Sequence, residues 1–226
     1  MSANHAAFNL IFRFVENYIS PIAGRISSQR HVMAIRDGFI SAMPFMIVGS
    51  FLLVFAYPPF SPDTTWGFAR AWLDLAKEFE GRILTPFDMT MGIMSIYICA
   101  AISYNLGKHY EKSNQLDPFM CAMLSIMAFL LIAAPKTNGT LPVDSLGGTG
   151  IFTAILVAIY CVEMMRFLKA HNIGIRLPDQ VPPMIKNSFD LLIPVLVVVL
   201  TLYPLSLFIQ HHFDMLIPQA IMAIFK

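Results

Sequence analysis

The sequence predicts an all-α, polytopic membrane protein: about five transmembrane helices plus two amphipathic helices lying along the bilayer surface. Composition is the first reason. Of 226 residues, 57% are hydrophobic and 13% are charged, where a soluble domain carries about 45–50% and about 25%. Mean hydropathy, at +0.65, is the second. The third is five charge-free runs of 18 to 20 residues, each in the length range a helix needs to cross about 30 Å of hydrocarbon. The same figures exclude other classes. Disorder needs few hydrophobes and high net charge. A nucleic-acid binder needs a basic excess, whereas 15 Lys and Arg against 14 Asp and Glu leave a net charge of +1. A water-soluble enzyme is disfavoured.

Residues 1–37 read as a cytoplasmic amphipathic segment and 38–226 as a five-span membrane domain. In the stretch 8–19, Phe8, Ile11, Phe12, Val15, Tyr18 and Ile19 recur at helical spacing, with Arg13, Glu16 and Asn17 elsewhere. That is the apolar stripe of an interfacial helix, and packing onto neighbouring protein would leave the same periodicity. Arg13 and Glu16 interrupt the apolar core that a signal peptide requires.

The first span is 38–57, closed by Pro58 and Pro59. Pro44 falls in its second turn, where a lost backbone bond costs least. Gly49 and Ser50 permit a close helix neighbour. The stretch 66–79 is the second amphipathic helix. Its apolar positions are Trp66, Ala69, Trp72, Leu73 and Ala76, against Arg70, Asp74, Lys77 and Glu78. Trp66 and Trp72 suit the aromatic belt of a membrane interface. The second span is 89–106, with Asp88 at its start, in the headgroup zone or capping a helix. The third is 118–135, opened by Asp117 as N-cap and Pro118 at the first helical position. The fourth, 145–162, begins with Gly147, Gly148 and Gly150, read as a flexible helix start. Glu163 follows it, with Arg166 three residues on, the spacing of a local ion pair. The proline-rich stretch 177–187 reads as a cytoplasmic linker. The fifth span is 191–209, with Pro194 and Pro204 as kinks.

Orientation follows from Lys and Arg in the connections. Arg13, Arg25, Arg30, Arg36, Lys108, Lys112, Arg166, Lys169, Arg176 and Lys186 place ten on the N-terminal side. Arg70, Lys77, Arg82, Lys136 and Lys226 place five on the other. The N-terminus is therefore read as cytoplasmic.

Chemistry is sparse. No run contains Asp, Glu, Lys, Arg or His in its interior, the usual mark of a functional site in lipid. Thr90, Ser95, Ser103, Ser125, Thr149, Thr153 and Thr201 read as hydrogen-bonding glue between helices. Cys99, Cys121 and Cys161 all lie in apolar runs and read as small buried or lipid-facing side chains. No Cys/His ligand spacing supports a metal, and no cofactor is implied. His5, His31, His109, His171, His211 and His212 lie outside the runs, with no carboxylate at triad spacing, and read as interfacial polar residues. A GxSxG nucleophile motif is absent. The run from Gly147 to Gly150 lacks the Lys and Ser/Thr of a P-loop. No catalytic residue is visible.

The most distinctive stretch is Gln29-Arg30-His31, then Ala34-Ile35-Arg36-Asp37-Gly38-Phe39-Ile40, Met43-Pro44 and Ile47-Val48-Gly49-Ser50-Phe51-Leu52-Leu53. Together with 16–21, it resembles the start of the membrane IIC component of bacterial sugar phosphotransferase systems, in the lactose/cellobiose/diacetylchitobiose branch. Tyr104-Asn105-Leu106-Gly107, Gly147-Gly148-Thr149-Gly150-Ile151-Phe152, Val181-Pro182-Pro183 and Ser188-Phe189 extend the resemblance along the chain. It implies a permease of about twice this length, with ten spans in two halves. In that family the first half mostly builds the dimer contact. The second, with two re-entrant hairpins, holds most of the sugar site. This chain resembles the first half only, so no sugar-binding residue can be carried onto it. The resemblance also implies an inner-membrane location, IIB and IIA partners, a homodimer or pairing with full-length IIC, and a cellobiose-type disaccharide as substrate. The phosphorylated cysteine of IIB has no counterpart here. Within this frame Arg30, His31, Arg36 and Asp37 are expected to anchor the first span and to contact the mobile half. Two rivals remain: a membrane oligomerisation module that does not transport, and an unrelated channel or membrane enzyme, which the lack of intramembrane charge disfavours.

Overall fold

The computed structural model describes residue 16 and residues 20–135, 140–175, 182 and 189–224. The 8–19 amphipathic stretch and the 177–187 linker lie outside the described residues, apart from positions 16 and 182. The described chain is all-helical in architecture. Its helices are α1 (Ser20–Ser27), α2 (Arg30–Ala56), α3 (Gly67–Asp88), α4 (Met94–Asn114), α5 (Pro118–Ala133), α6 (Ile151–Ala170), α7 (Leu192–Phe213) and α8 (Ile217–Ile224). A 3-10 turn, Gly148–Gly150, leads into α6. Three helical stretches are long and apolar enough to cross a membrane: Arg30–Ala56, Gly148–Ala170 and Leu192–Phe213. The helix Pro118–Ala133 is apolar but shorter.

Helix α4 is the hub. It packs against α2 on one side and against α5 and α6 on the other. Ile98, Ile102 and Leu106 on α4 meet Phe129 on α5 and Val162 on α6 in one buried cluster. The α2 side of this contact is made of small residues: Ala34, Gly38, Ala42, Gly49 and Ala56 are the buried positions of that helix. A Cβ on Gly38 would stand 2.9 Å from the Ile102 backbone nitrogen, and one on Gly49 would stand 2.8 Å from Thr90 Oγ1. The close neighbour expected at Gly49 is thus the turn that leads into α4, and Gly38, three turns of helix earlier, comes as close to Ile102 within α4.

Several boundaries differ from the charge-free runs, for physical reasons. Helix α2 begins at Arg30 and continues unbroken through Arg36 and Asp37. Pro44 therefore lies in the middle of a 27-residue helix, not in its second turn, and leaves the Ile40 carbonyl without its usual donor. Asp88 ends α3 instead of opening the next helix. Positions 89–93 form a tight turn in which the Phe87 carbonyl accepts from the Met91 and Gly92 amides at 2.9 and 3.2 Å. Lys108 and Lys112 ride on the last turns of α4 and not in a loop. Pro194 sits in the first turn of α7, where its missing N–H costs nothing, and only Pro204 lies inside that helix.

Other features follow the sequence reading. Asp117 caps α5, its Oδ1 accepting from the Phe119 and Met120 amides at 2.9 and 3.4 Å, with Pro118 at the first position. The amphipathic stretch near Trp66 is helical and extends to Asp88. It is fastened to the end of α2: the Trp72 indole donates to the Phe55 carbonyl at 3.2 Å, and the Tyr57 hydroxyl donates to Glu80 at 2.9 Å. All three cysteines are buried. The glycine-rich start of α6 is packed instead of flexible. A Cβ on Gly147 would stand 3.1 Å from the Gly92 carbonyl, and one on Gly150 would run into the Ser145 carbonyl.

Candidate functional site

The polar chemistry gathers at one end of the bundle, where α2 and α7 start and α4 and α6 end. Helix α6 supplies three side chains there, at i, i+3 and i+6: Glu163, Arg166 and Lys169. This spacing keeps them near one edge of a 3.6-residue helix.

Glu163 is the centre. Its Oε1 accepts from His31 Nε2 at 2.9 Å and from the Tyr110 hydroxyl at 2.7 Å. Its Oε2 stands 3.2 Å from Arg166 Nε, the ion pair expected from their spacing. Arg166 also donates through Nη1 to the Tyr110 oxygen at 2.9 Å. The Tyr110 ring is flanked by two guanidiniums, with Arg166 at 4.8 Å and Arg30 at 5.4 Å from its centroid. Such cation–π contacts suit Arg, whose planar group stacks without losing its hydrogen bonds. Lys169 continues the edge. It donates to the Gln115 carbonyl at 2.6 Å and stands 3.4 Å from Asp190, just before α7. Gln115 carries a left-handed backbone, φ 53°, between α4 and α5. Beside it opens a cleft of about 580 Å³ lined by Ser113, Asn114, Lys169, Asn172 and Asp190, among others.

The electrostatics are those of a shared acceptor. Burial, then the hydrogen bond to Glu163 and its charge, hold the Tyr110 phenol above its ordinary value of 10.0, with Arg166 opposing. Tyr110 therefore stays a donor at neutral pH. Through these contacts α6 holds the first turn of α2, the last turns of α4, the α4–α5 turn and the approach to α7.

Of the four residues singled out in the sequence, the structure brings Arg30 and His31 into this cluster. Arg36 and Asp37 do not join it. They pair with each other at 2.8 Å on the outer surface of α2. Sequence reasoning missed Tyr110 and Lys169 as partners, and it gave His31 no carboxylate. The partner of His31 is 132 positions away, beyond any spacing rule. Among the polar in-span residues, Ser95 does bond across, its hydroxyl donating to the Leu146 carbonyl. Ser103 instead bonds within its own helix, to the Cys99 carbonyl at 2.8 Å. Among the described residues no group of three or more His, Cys, Asp or Glu could hold a metal ion. The chemistry of the cluster is that of a charged clasp.

Comparison with known proteins supplies the wider context. The family model described as "Phosphotransferase system, EIIC" matches residues 36–225. The cellobiose-specific EIIC component of Geobacillus stearothermophilus is 35% identical over 206 residues, covering 83% of this chain and 43% of that protein. The lactose-specific EIICB component of Streptococcus mutans is 32% identical over 207 residues, covering 89% of this chain and 35% of that protein. The crystal structure of the transporter ChbC, the IIC component of an N,N'-diacetylchitobiose-specific phosphotransferase system, superposes with a TM-score of 0.76 at 32% identity. That superposition covers 92% of this chain and 50% of ChbC. The chain thus spans half or less of the length of these relatives.

Proposed function

This chain belongs to the phosphotransferase system EIIC family, and on that premise we propose that it supplies the N-terminal scaffold and dimerisation half of a sugar-specific permease. The intact permease carries a cellobiose-type β-glucoside disaccharide across the bacterial inner membrane with coupled phosphorylation. IIB and IIA components deliver the phosphoryl group on the cytoplasmic side. Helices α2, α4, α5, α6 and α7 cross the bilayer, with the N-terminus and the Glu163 cluster on the cytoplasmic face. Ten Lys and Arg on that side against five on the other support this orientation.

The observation that carries the scaffold reading is the nature of the interior. Small residues of α2 close tightly on α4, and the ion pairs of Glu163 and Lys169 lie at one end. A sugar site needs polar groups converging on a cavity at bilayer depth, as in transporters generally. The described interior is instead a packed apolar core. The cluster around Glu163 ties the helix ends together, so that this half moves as one body against a mobile partner. Arg36 and Asp37, free of the cluster, stand outward on α2, where a mobile half could reach them.

An uptake assay tests this. Inside-out and right-side-out vesicles are prepared with this chain alone, and with this chain plus the portion of a cellobiose EIIC relative that lies outside the match. Phosphoenolpyruvate-driven accumulation of labelled cellobiose is expected only in the second case, and only with IIB and IIA present. Accumulation by this chain alone would overturn the scaffold assignment. Stable assembly with full-length EIIC, without uptake in either case, would favour the oligomerisation module that does not transport.

A further inference from the structure

Away from the Glu163 cluster, α2, α4 and α5 leave a groove of about 340 Å³ on the outer face of the bundle. Ser41 and Phe45 of α2, Tyr97, Ala101 and Tyr104 of α4, and Ala122 of α5 line it. Its lining runs over 41–45 on α2 and 97–105 on α4 and stops at an aromatic pair: Phe45 and Tyr97 stack at 4.4 Å, 8° from parallel, across the two helices. At the other end the surface becomes charged. Lys108 lies one turn beyond Tyr104 on the same face of α4 and is exposed. Asp37 lies one turn before Ser41 on α2, and Arg36 binds it at 2.8 Å.

These charges border the charge-free runs 38–57 and 89–106, so this end of the groove lies at a bilayer edge. From Lys108 back to Tyr97 the helix rises about 16 Å. That is close to half of the roughly 30 Å hydrocarbon core, the depth of one leaflet. A groove that is apolar for one leaflet, closed near the midplane and cationic at the headgroup edge follows the polarity profile of a phospholipid. A transmembrane helix from a second copy would need a trough open along the whole bilayer. The charges of Arg36, Asp37 and Lys108 sum to +1, which complements a headgroup carrying one negative charge.

We propose that this groove is a binding site for an anionic phospholipid, one acyl chain lying between α2 and α4 and the phosphate meeting Arg36 and Lys108. The inference rests on these helices spanning the bilayer and is independent of sugar transport.

Native mass spectrometry of the full chain in mild detergent tests it, with equimolar phosphatidylglycerol and phosphatidylcholine of matched chains. One phosphatidylglycerol should stay bound per chain in preference to phosphatidylcholine. Lys108→Gln should weaken that preference about fivefold, the effect of one cation near an anionic headgroup. Ala101→Phe, which fills the groove, should abolish retention of both lipids while helicity by circular dichroism is unchanged. Should Ala101→Phe fail to fold, the exposed Lys108→Gln substitution decides alone. Equal retention of the two lipids, or no effect of Lys108→Gln, would overturn the proposal. So would a lipid-free dimer that Ala101→Phe dissociates, since a second copy would then occupy the groove. Recovery of the chain from cells without detergent would instead refute the spanning reading itself.

Discussion

His31 and Glu163 meet at 2.9 Å although 132 positions separate them, and the same Glu163 oxygen accepts from Tyr110 at 2.7 Å. One carboxylate therefore holds the start of α2 and the end of α4 onto α6.

Removing that carboxylate should loosen the bundle at this end. Glu163→Ala leaves His31, Tyr110 and Arg166 without their common acceptor. A buried donor left unpaired costs about 1–3 kcal/mol, and the partial exposure of His31 and Glu163 lowers the expected loss to about 1 kcal/mol. Glu163→Gln keeps an acceptor oxygen for Tyr110 and should lose less. Thermal unfolding in detergent micelles, followed by circular dichroism, measures both. A double-mutant cycle with His31→Ala should give a coupling of about 0.5 kcal/mol. A coupling of zero would mean that the contact carries no energy.

Tyr110 gives the cluster an alkaline limit. Its phenol is held above its ordinary value of 10.0 by burial first and by Glu163 second. An acid whose pKa is raised on folding binds its proton more tightly in the folded state. Its contribution is complete below pH 10 and is lost as pH rises through the folded value. Melting temperature should therefore carry an alkaline decline above pH 10 that Tyr110→Phe reduces. An identical decline in wild type and Tyr110→Phe would show that other groups set it.

Much of the fold was legible because hydropathy and capping act locally. Asp117 and Pro118 announce a helix start through the side-chain acceptor and the ring that needs no N–H, and both do that work here. The amphipathic stretch at Trp66 was equally readable. Boundaries were less so, since a helix does not stop where charge begins. Arg30 to Asp37 and Lys108 to Asn114 extend their helices because their polar tips reach solvent or partners while the backbone stays helical. The site was the least legible. Glu163 and Arg166 could be paired from an i, i+3 spacing. Nothing in the sequence brings His31 or Tyr110 to them, because that meeting depends on how α2 and α4 dock. Asp88 shows the converse error: an acid near an apolar run resembles a cap, yet the preceding helix claims it.

The cap at Asp117 fixes the turn between α4 and α5. Asp117→Ala removes the acceptor for the Phe119 and Met120 amides and should cost about 1 kcal/mol, with Asp117→Ser close to neutral. Hydrogen exchange of those two amides is the sharper readout. It should accelerate in the alanine variant and stay slow in the serine one.

Glycines should separate packing from propensity. At Gly38 a side chain would run into Ile102, whose backbone stands 2.9 Å from the Cβ position. Gly38→Val must push α2 off α4, and overpacking of this kind costs about 1–3 kcal/mol. Gly81 also lies within a helix, α3, but has nothing within 4 Å of its Cβ position. Gly81→Ala should therefore stabilise, by about 0.5–1 kcal/mol, since only the conformational freedom of glycine is removed. Opposite shifts in melting temperature for these two variants would establish that close approach of α2 to α4, and not helix propensity, retains Gly38. A neutral Gly38→Val would show instead that the α2–α4 contact yields, and would count against the proposed movement of this chain as one rigid body.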